Sequence, residues 1–382
     1  MAIIKLNIEE FLLLAKEHPV LDVRSPGEYA HAHIPGAYSL PLFSDEERKV
    51  VGTAYKQESK QKAIKLGLDF FGVKMVKMVE EVEEIIKVRC TRYEVRTEDN
   101  FVLRTSNILL THCWRGGMRS AGVAWLLDLY GYKVYTLVGG YKVYRKWVLQ
   151  QFEKDYPINI LGGYTGSGKT EVLHALLKKK ESVIDLEGLA HHKGSAFGSL
   201  GQPKQPSQEM FENLLAIELK LIVDRCQITG ESDLPSNISH LSSPIWLEDE
   251  SQRIGNVNIP TPLFRQMRNK KVYFLTIPFE ERLDFIVRNY GDFEKDKLVN
   301  AIIRIKKRLG GLETKTAINH LIEDNVKACF AVLLHYYDKQ YLKGLQNREE
   351  LPSLLNEIVV ATVADEINAT QLLTFFQEEK IV

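Results

Sequence analysis

Ile158-Asn-Ile-Leu-Gly-Gly-Tyr-Thr-Gly-Ser-Gly168-Lys169-Thr170 decides the fold of the second half of this chain. An apolar run, Ile158 to Leu161, enters a loop, Gly162 to Gly168, and a helical pattern follows to about Lys180. Gly163 to Thr170 fits the phosphate-binding pattern G-x-x-x-x-G-K-[ST] at every fixed position, between a strand and a helix as that pattern requires. Glycines at 163, 166 and 168 let backbone N–H groups turn toward phosphate oxygens. Ser167 belongs to the same turn, and the helix N-terminus adds partial positive charge. Lys169 is expected on the terminal phosphates, and Thr170 offers a hydroxyl compatible with Mg²⁺. A strand–loop–helix unit of this kind implies an α/β domain around a parallel sheet.

Working outward, strands are expected at Val183 to Asp185, Ile245 to Leu247 and Val272 to Thr276. The region from Phe279 to Leu345 reads as mostly helical. Glu248-Asp249-Glu250 follows the second of these strands, and Asp249 is the favoured metal-linked acid, with the strand-ending Asp185 as the other candidate. Gly188 to Gly198 is a basic, glycine-bearing loop, and Lys193, Gly194 and Ser195 are expected to form a lid over the ligand. His191 and His192 are adjacent, so they do not share a helical face and no metal is expected there.

Toward the N-terminus, Ile108 to Thr111 reads as a buried strand running into His112-Cys113-Trp-Arg-Gly-Gly-Met-Arg119-Ser120, then a helix over Ala121 to Tyr130 and a strand over Lys133 to Val138. A cysteine at a strand-to-helix turn faces backbone N–H groups and a helix N-terminus. With Arg115 and Arg119 added, Cys113 is expected to be a low-pKa nucleophile above an oxyanion cradle. Attack on a phosphate ester and transfer of sulfur or selenium through the cysteine both fit. Val20 to Val23 is a further strand, and about 45–96 reads as a partly helical insertion. A helix from Tyr141 to Lys154 leads to Pro157, so domains of residues 1–150 and 151–382 are expected.

Lys plus Arg and Asp plus Glu balance at 50 each in 382 residues, so no global field points to nucleic acid. Four cysteines without paired spacing exclude a disulfide framework or zinc site and fit a reducing compartment. The N-terminus lacks the features of a signal peptide, and no stretch reaches the length of a membrane span. A cytoplasmic protein without membrane association is expected.

Leu21-Asp-Val-Arg-Ser-Pro-Gly-Glu-Tyr29 and His33-Ile-Pro-Gly-Ala37 resemble the rhodanese homology domain, with Ala32 where that pattern usually has Gly. Asp22, Arg24, Glu28 and His33 read as structural members of it. A rhodanese-like domain followed by C-W-R-G-G-M-R-S, the phosphate loop, L-E-G-L-A-H-H-K-G-S-A-F-G and E-D-E-S-Q-R-I-G resembles the tRNA 2-selenouridine synthase family over nearly the whole chain, least after about Gly310. The resemblance implies a rhodanese-like parallel-sheet domain and a P-loop NTPase-like domain with a helical C-terminal part. It implies a 2-thiolated wobble uridine, position 34, in tRNAs for Lys, Glu and Gln as substrate. Geranyl diphosphate and selenophosphate are then co-substrates, with no tightly bound cofactor, and selenophosphate synthetase is an implied partner. It implies Cys113 as the catalytic cysteine. Candidate tRNA contacts are Arg304, Lys307 and Arg308 on one helical face, and Arg265 and Arg268 beside Lys270 and Lys271. Lys87, Arg89, Arg92 and Arg96 form a third basic cluster, whereas Tyr336, Tyr337 and Tyr341 read as core rather than base-stacking residues. The competing readings are a rhodanese-like phosphatase or sulfurtransferase, an ATPase or kinase with a regulatory rhodanese-like module, and a tRNA-binding or sulfur-relay carrier.

Overall fold

A computed structural model describes residues 3–92, 107–228 and 244–381. The chain divides into two units, Met1–Gln150 and Gln151–Val382.

The first unit runs β1 (Ile4–Leu6), α1 (Ile8–Ala15), β2 (Val20–Asp22), α2 (Pro26–His31), β3 (Tyr38–Ser39), α3 (Asp45–Gln57), α4 (Lys60–Gly72), α5 (Met75–Arg92), β4 (Ile108–His112), α6 (Met118–Tyr130), β5 (Lys133–Leu137) and α7 (Gly140–Gln151). Its sheet order is β1-β5-β4-β2-β3, with every pair parallel. Such strands are covered on both faces, which is why β2 is buried throughout and β4 from Leu109 onward. The segment expected as a partly helical insertion is helical over 45–92 apart from its turns, with Ser44 and Ser59 as N-cap side chains on α3 and α4. It is no appendage: Phe71, Met78, Val79 and Val82 share a core with Leu109, Val123 and Leu127. Arg96 lies outside the described residues.

The second unit runs β6 (Ile158–Gly163), α8 (Lys169–Lys178), β7 (Ser182–Ile184), α9 (Leu186–Ala190), α10 (Gln208–Ile228), β8 (Ile245–Glu248), β9 (Arg253–Ile254), β10 (Val257–Asn258), α11 (Thr261–Arg268), β11 (Val272–Thr276), α12 (Phe279–Tyr290), α13 (Lys295–Leu309), α14 (Gly311–Ile322), α15 (Val326–Gln346), α16 (Leu351–Leu354), β12 (Leu355–Val359) and α17 (Asp365–Ile381). The main sheet, β12-β11-β6-β8-β7, is parallel throughout. β6 is buried along its length and delivers the phosphate loop at its C-terminal end, where open α/β sheets bind ligands. Leu161, Val172, Leu176, Trp246, Tyr273 and Leu275 build the core around this sheet. Helices α12 to α15 form a second core with Leu283, Ile302, Leu321, Phe330 and Leu333. The expected fold class is the observed one. Strand β12 and helix α17 are an addition that the sequence reading did not contain.

Candidate functional site

Cys113 follows β4 directly and is 3% exposed. The Gly117 N–H donates to its Sγ at 3.3 Å, and the Ser120 hydroxyl lies 3.3 Å from the same sulfur. Burial alone would raise this thiol. The Ser120 hydroxyl, the N–H groups of Ser120 and Arg115, and the charge of Arg119 together hold it below its ordinary value. Arg119 donates through Nη1 to Glu28 Oε2 at 3.0 Å, and Arg48 of α3 binds the same oxygen at 2.8 Å.

Two glycines let the cysteine loop dock on the start of α7. Gly140 has φ +58°, and a Cβ there would lie 2.2 Å from the Cys113 carbonyl. Gly116 has φ +64° and would similarly strike the Leu137 carbonyl at 2.5 Å. Without side chains they allow the Tyr141 N–H to donate to the Cys113 carbonyl at 2.8 Å. Beneath the loop, Arg24 grips Asp22 through Nε and Nη2 at 2.9 and 2.6 Å. It also donates to the Ala32 carbonyl and lies 3.7 Å from the Tyr141 ring centroid. Both charges are buried and paired, a structural arrangement with no access to an incoming ligand. His33 stacks on Tyr29, whose hydroxyl closes the turn on the Ala37 carbonyl.

In the second unit, Gly163, Gly166 and Gly168 all have positive φ, and the loop of residues 163–168 leads into α8. Lys169 Nζ donates to the Gly163 carbonyl at 3.0 Å. The Thr170 hydroxyl donates to Glu187 Oε2 at 3.1 Å, and the Glu187 N–H donates to Glu248 Oε1 at 2.7 Å. Glu248 ends β8, is fully buried, and its Oε2 has no partner. Burial, then the mutual repulsion of Glu187, Asp185 and Glu250, pushes the Glu248 carboxyl well up. Glu250 is pushed well up by burial and Glu187, and Glu187 is raised chiefly by burial. Gly194 (φ +58°) lies against Glu250 and Glu187, so the expected lid residues Lys193, Gly194 and Ser195 do border this cluster.

Asp249 is placed differently from its expected role. Its Oδ2 accepts from Tyr341 Oη at 2.7 Å and its Oδ1 from Arg348 Nη2. Asp185 caps α9 through Gly188 and pairs with His174. The carboxylate in contact with Thr170 is Glu187, backed by Glu248, and the sequence reading selected neither. The available signal was weak: Glu187 follows Asp185 by two residues, and Glu248 is the last residue of an apolar strand.

A cavity of about 690 Å³ opens from the phosphate loop. Its lining includes Gly166 to Thr170, Glu187 and Glu248. Phe285, Ile286, Ile305, Phe330, Leu333 and Leu334 add apolar side chains to the lining, and Ile286 lies against Gly166 of the loop. Arg268 and Arg308 line it too, while Arg265, Arg304 and Lys307 are exposed on α11 and α13. Ile302 and Leu309 are buried on the other side of α13. Lys270 and Lys271 are paired with Asp155 and Glu379, and Lys87 with Glu84, which leaves them less available to phosphates. Tyr337 accepts from the Ala196 N–H, and Tyr341 is held by Asp249. Among the described residues no three His, Cys, Asp or Glu side chains are gathered as a metal-holding group. No helix among them is long and apolar enough to cross a membrane.

Comparison with known proteins agrees with this architecture. The family model for the tRNA 2-selenouridine synthase AAA domain matches residues 156–368, and that for the rhodanese-like domain matches residues 8–70. The tRNA 2-selenouridine synthase of Hydrogenovibrio crunogenus is 36% identical over 78% of this chain and 78% of its own. This chain belongs to the tRNA 2-selenouridine synthase family. The synthase of Nitrosomonas europaea is 30% identical across 89% of this chain and 92% of its own, and that of a Sulfurovum species is 33% identical across 81% and 80%. The resemblance expected from the cysteine and phosphate loops is therefore borne out, and the likeness to the synthase family spans both units.

Proposed function

We propose that the chain is a tRNA-modifying transferase that replaces the 2-thio sulfur of wobble uridine 34 by selenium, in tRNAs for Lys, Glu and Gln. The route runs through an S-geranyl-2-thiouridine intermediate made from geranyl diphosphate. The observation that carries this reading is a single cavity lined both by the phosphate loop and by apolar side chains of α12, α13 and α15. A phosphate loop opening into an apolar wall suits a diphosphate attached to a hydrocarbon chain better than it suits a nucleotide with a polar sugar. In the first step the thio sulfur bonds to the geranyl carbon as that carbon's bond to diphosphate breaks. Lys169 and the N–H groups of the loop take up the charge that develops on the departing diphosphate. In the second step the selenium of selenophosphate bonds to C2 of the base as the geranylthio group leaves as the thiol, and water then cleaves the selenium–phosphorus bond and carries the phosphoryl group away as phosphate. The Cys113 loop suits the donor of that selenium, because its N–H groups and Arg119 favour an anion beside a reactive sulfur.

A Mg²⁺ ion fits the phosphate loop by the chemistry of its donors. Thr170 and Glu187 are in contact, and Glu248 behind them has a buried oxygen without a partner. Mg²⁺ sites commonly use one or two carboxylates together with substrate phosphates, so a larger protein ligand set is not required. When bound, the ion would neutralise diphosphate charge. Glu187 and Glu248, in place of Asp249, are the acids that would hold it. The exposed Arg265, Arg304 and Lys307, with Arg268 and Arg308 at the cavity, are the surface on which tRNA phosphates would lie. The setting is cytoplasmic, with selenophosphate synthetase as supplier of the selenium donor.

The test uses 2-thiouridine tRNA, geranyl diphosphate and selenophosphate, with nucleoside mass spectrometry. Wild type should yield 2-selenouridine. Lys169→Ala should leave 2-thiouridine, and Cys113→Ala should accumulate S-geranyl-2-thiouridine. Unchanged tRNA together with turnover of ATP or a phosphate ester would overturn the reading, as would tighter binding of ATP than of geranyl diphosphate.

A further inference from the structure

Two side chains on one face of α15 are joined to the phosphate loop at different points. Tyr341 Oη accepts from the Gly163 N–H at 3.2 Å and donates to Asp249 at 2.7 Å. Asp249 is fixed in turn by Arg348, which also donates to the Met267 and Arg268 carbonyls at 3.0 and 3.2 Å. Three residues earlier, Asp338 takes a bidentate pair from Arg282, both contacts 2.8 Å, and Arg282 Nη1 also donates to the Thr165 carbonyl at 3.0 Å. Residues three apart lie on the same side of a helix, so one rigid element holds the loop at residues 163 and 165. The arrangement has consequences in the strand too. A side chain at Gly162 would meet Val272 and Phe274 and crowd the Tyr341 hydroxyl at 3.4 Å. Lys169 Nζ lies 5.6 Å from the Tyr341 ring centroid, within cation–π range. The same helix lines the cavity with Phe330, Leu333 and Leu334.

We infer that Tyr341 and Asp338 are positioning residues of the phosphate loop, which set its backbone for a diphosphate and tie that setting to the helix that lines the same cavity with apolar side chains. The inference rests on the reading of this loop as a diphosphate site. Neither residue is placed against the reacting atoms. They act through the carbonyl of Thr165 and the N–H of Gly163, whose orientations decide where the following N–H groups of the loop point. Tyr341 and Asp249 also explain each other: a strand-end acid next to the loop serves as an anchor and is not available as a metal-linked group.

The test is calorimetric titration of the full-length chain with inorganic pyrophosphate and Mg²⁺, far below the melting transition, beside a thermal melt of each variant. Tyr341→Phe keeps the ring and removes the hydroxyl, leaving the Gly163 N–H unsatisfied. Asp338→Asn keeps the shape and removes the charge from Arg282. Each should weaken pyrophosphate about tenfold, the scale of one stranded buried hydrogen-bonding group. The double variant should lose less than the product of the two, because both act on one loop. His335→Ala, which loosens the same helix from Phe279 without touching the loop, should bind pyrophosphate as wild type does. Unchanged affinity in Tyr341→Phe, or an equal loss in His335→Ala, would overturn the inference. If wild type itself fails to bind pyrophosphate, the diphosphate reading falls and takes the inference with it.

Discussion

At the scale of single residues, the cysteine loop is a competition that polar contacts win. Burial works against a Cys113 thiolate, and Ser120, the loop N–H groups and Arg119 work for it. Ser120 is the contact most easily removed, since its hydroxyl lies 3.3 Å from the sulfur and only otherwise donates to the Gly117 carbonyl at 3.1 Å. Ser120→Ala should therefore move the alkaline inflection of Cys113 alkylation upward by about one pH unit, the worth of one hydrogen bond to an ionised group. Iodoacetamide modification followed against pH, with Cys113→Ala as blank, measures it, and an inflection that stays put would mean the helix and arginine charges suffice. Cys329 should not interfere, because burial pushes that thiol up to about 12. Cys113 and Lys169 were legible in sequence because each sits in a contiguous motif whose spacing carries the geometry. The partners of Asp249 were not legible, for the opposite reason. Tyr341 and Arg348 lie 92 and 99 residues away, and no local pattern announces that an acid is already taken.

At the scale of elements, the parallel strands announced themselves as short apolar runs, and the helical stretch Phe279 to Leu345 as amphipathic periodicity. Strand β12 did not. It is an edge strand, half-exposed over Leu355 to Glu357, so its sequence lacks the continuous apolar run of β6 or β8. Its role is visible only once it pairs with β11 in register from Leu355 to Val359. Helix α17 then closes the sheet, burying Ala369 and Leu372 against a core that includes Val172 and Leu176 of α8, the helix that begins at Lys169. The prediction at this scale is that the C-terminal helix is part of the phosphate-loop fold and not a tail. Leu372→Ala should cost about 2–5 kcal/mol, the range for a fully buried leucine whose cavity does not collapse. Urea unfolding with intrinsic tryptophan fluorescence reads this through the buried Trp246, which shares that core. A loss below about 1 kcal/mol would show that α17 packs loosely and that the sheet is stable without it.

For the whole molecule, each site is assembled from its own unit: the partners named for Cys113 all fall within residues 1–150, and the cavity lining falls within 165–347. Cys113→Ala should leave pyrophosphate affinity unchanged and Lys169→Ala should leave the Cys113 inflection unchanged, and a change in either would reveal coupling that neither site contains by itself. The same division should make the two halves answer pH with opposite sign. In the first unit Asp22, Glu28 and Glu47 are held below their ordinary values by nearby cations and hydrogen bonds that outweigh burial. Lowered carboxyls contribute stability above their unfolded pKa, and it is lost as pH falls through their folded pKa. In the second unit Glu187, Glu248 and Glu250 are raised from 4.5, two of them well above it, and among the described residues only Glu379 is lowered. Raised carboxyls mean that the folded unit binds more protons than the unfolded chain. Their contribution is present below about 4.5 and is lost as pH rises toward the folded values. Between pH 5 and pH 8 without divalent cation, the second unit should therefore lose protection while the first keeps it. Hydrogen exchange corrected for its intrinsic pH dependence separates the two, with amides of β6 and β8 read against those of β2 and β4. Mg²⁺ should reverse the loss at pH 8, since a cation at a hundred times its Kd adds about 2.7 kcal/mol to the state that binds it. At pH 5 the same addition should do less, because a cation must then displace protons from the Glu248 cluster. Equal protection of β8 at both pH values, with no response to Mg²⁺, would mean that the buried carboxyls neither titrate in this range nor hold a cation.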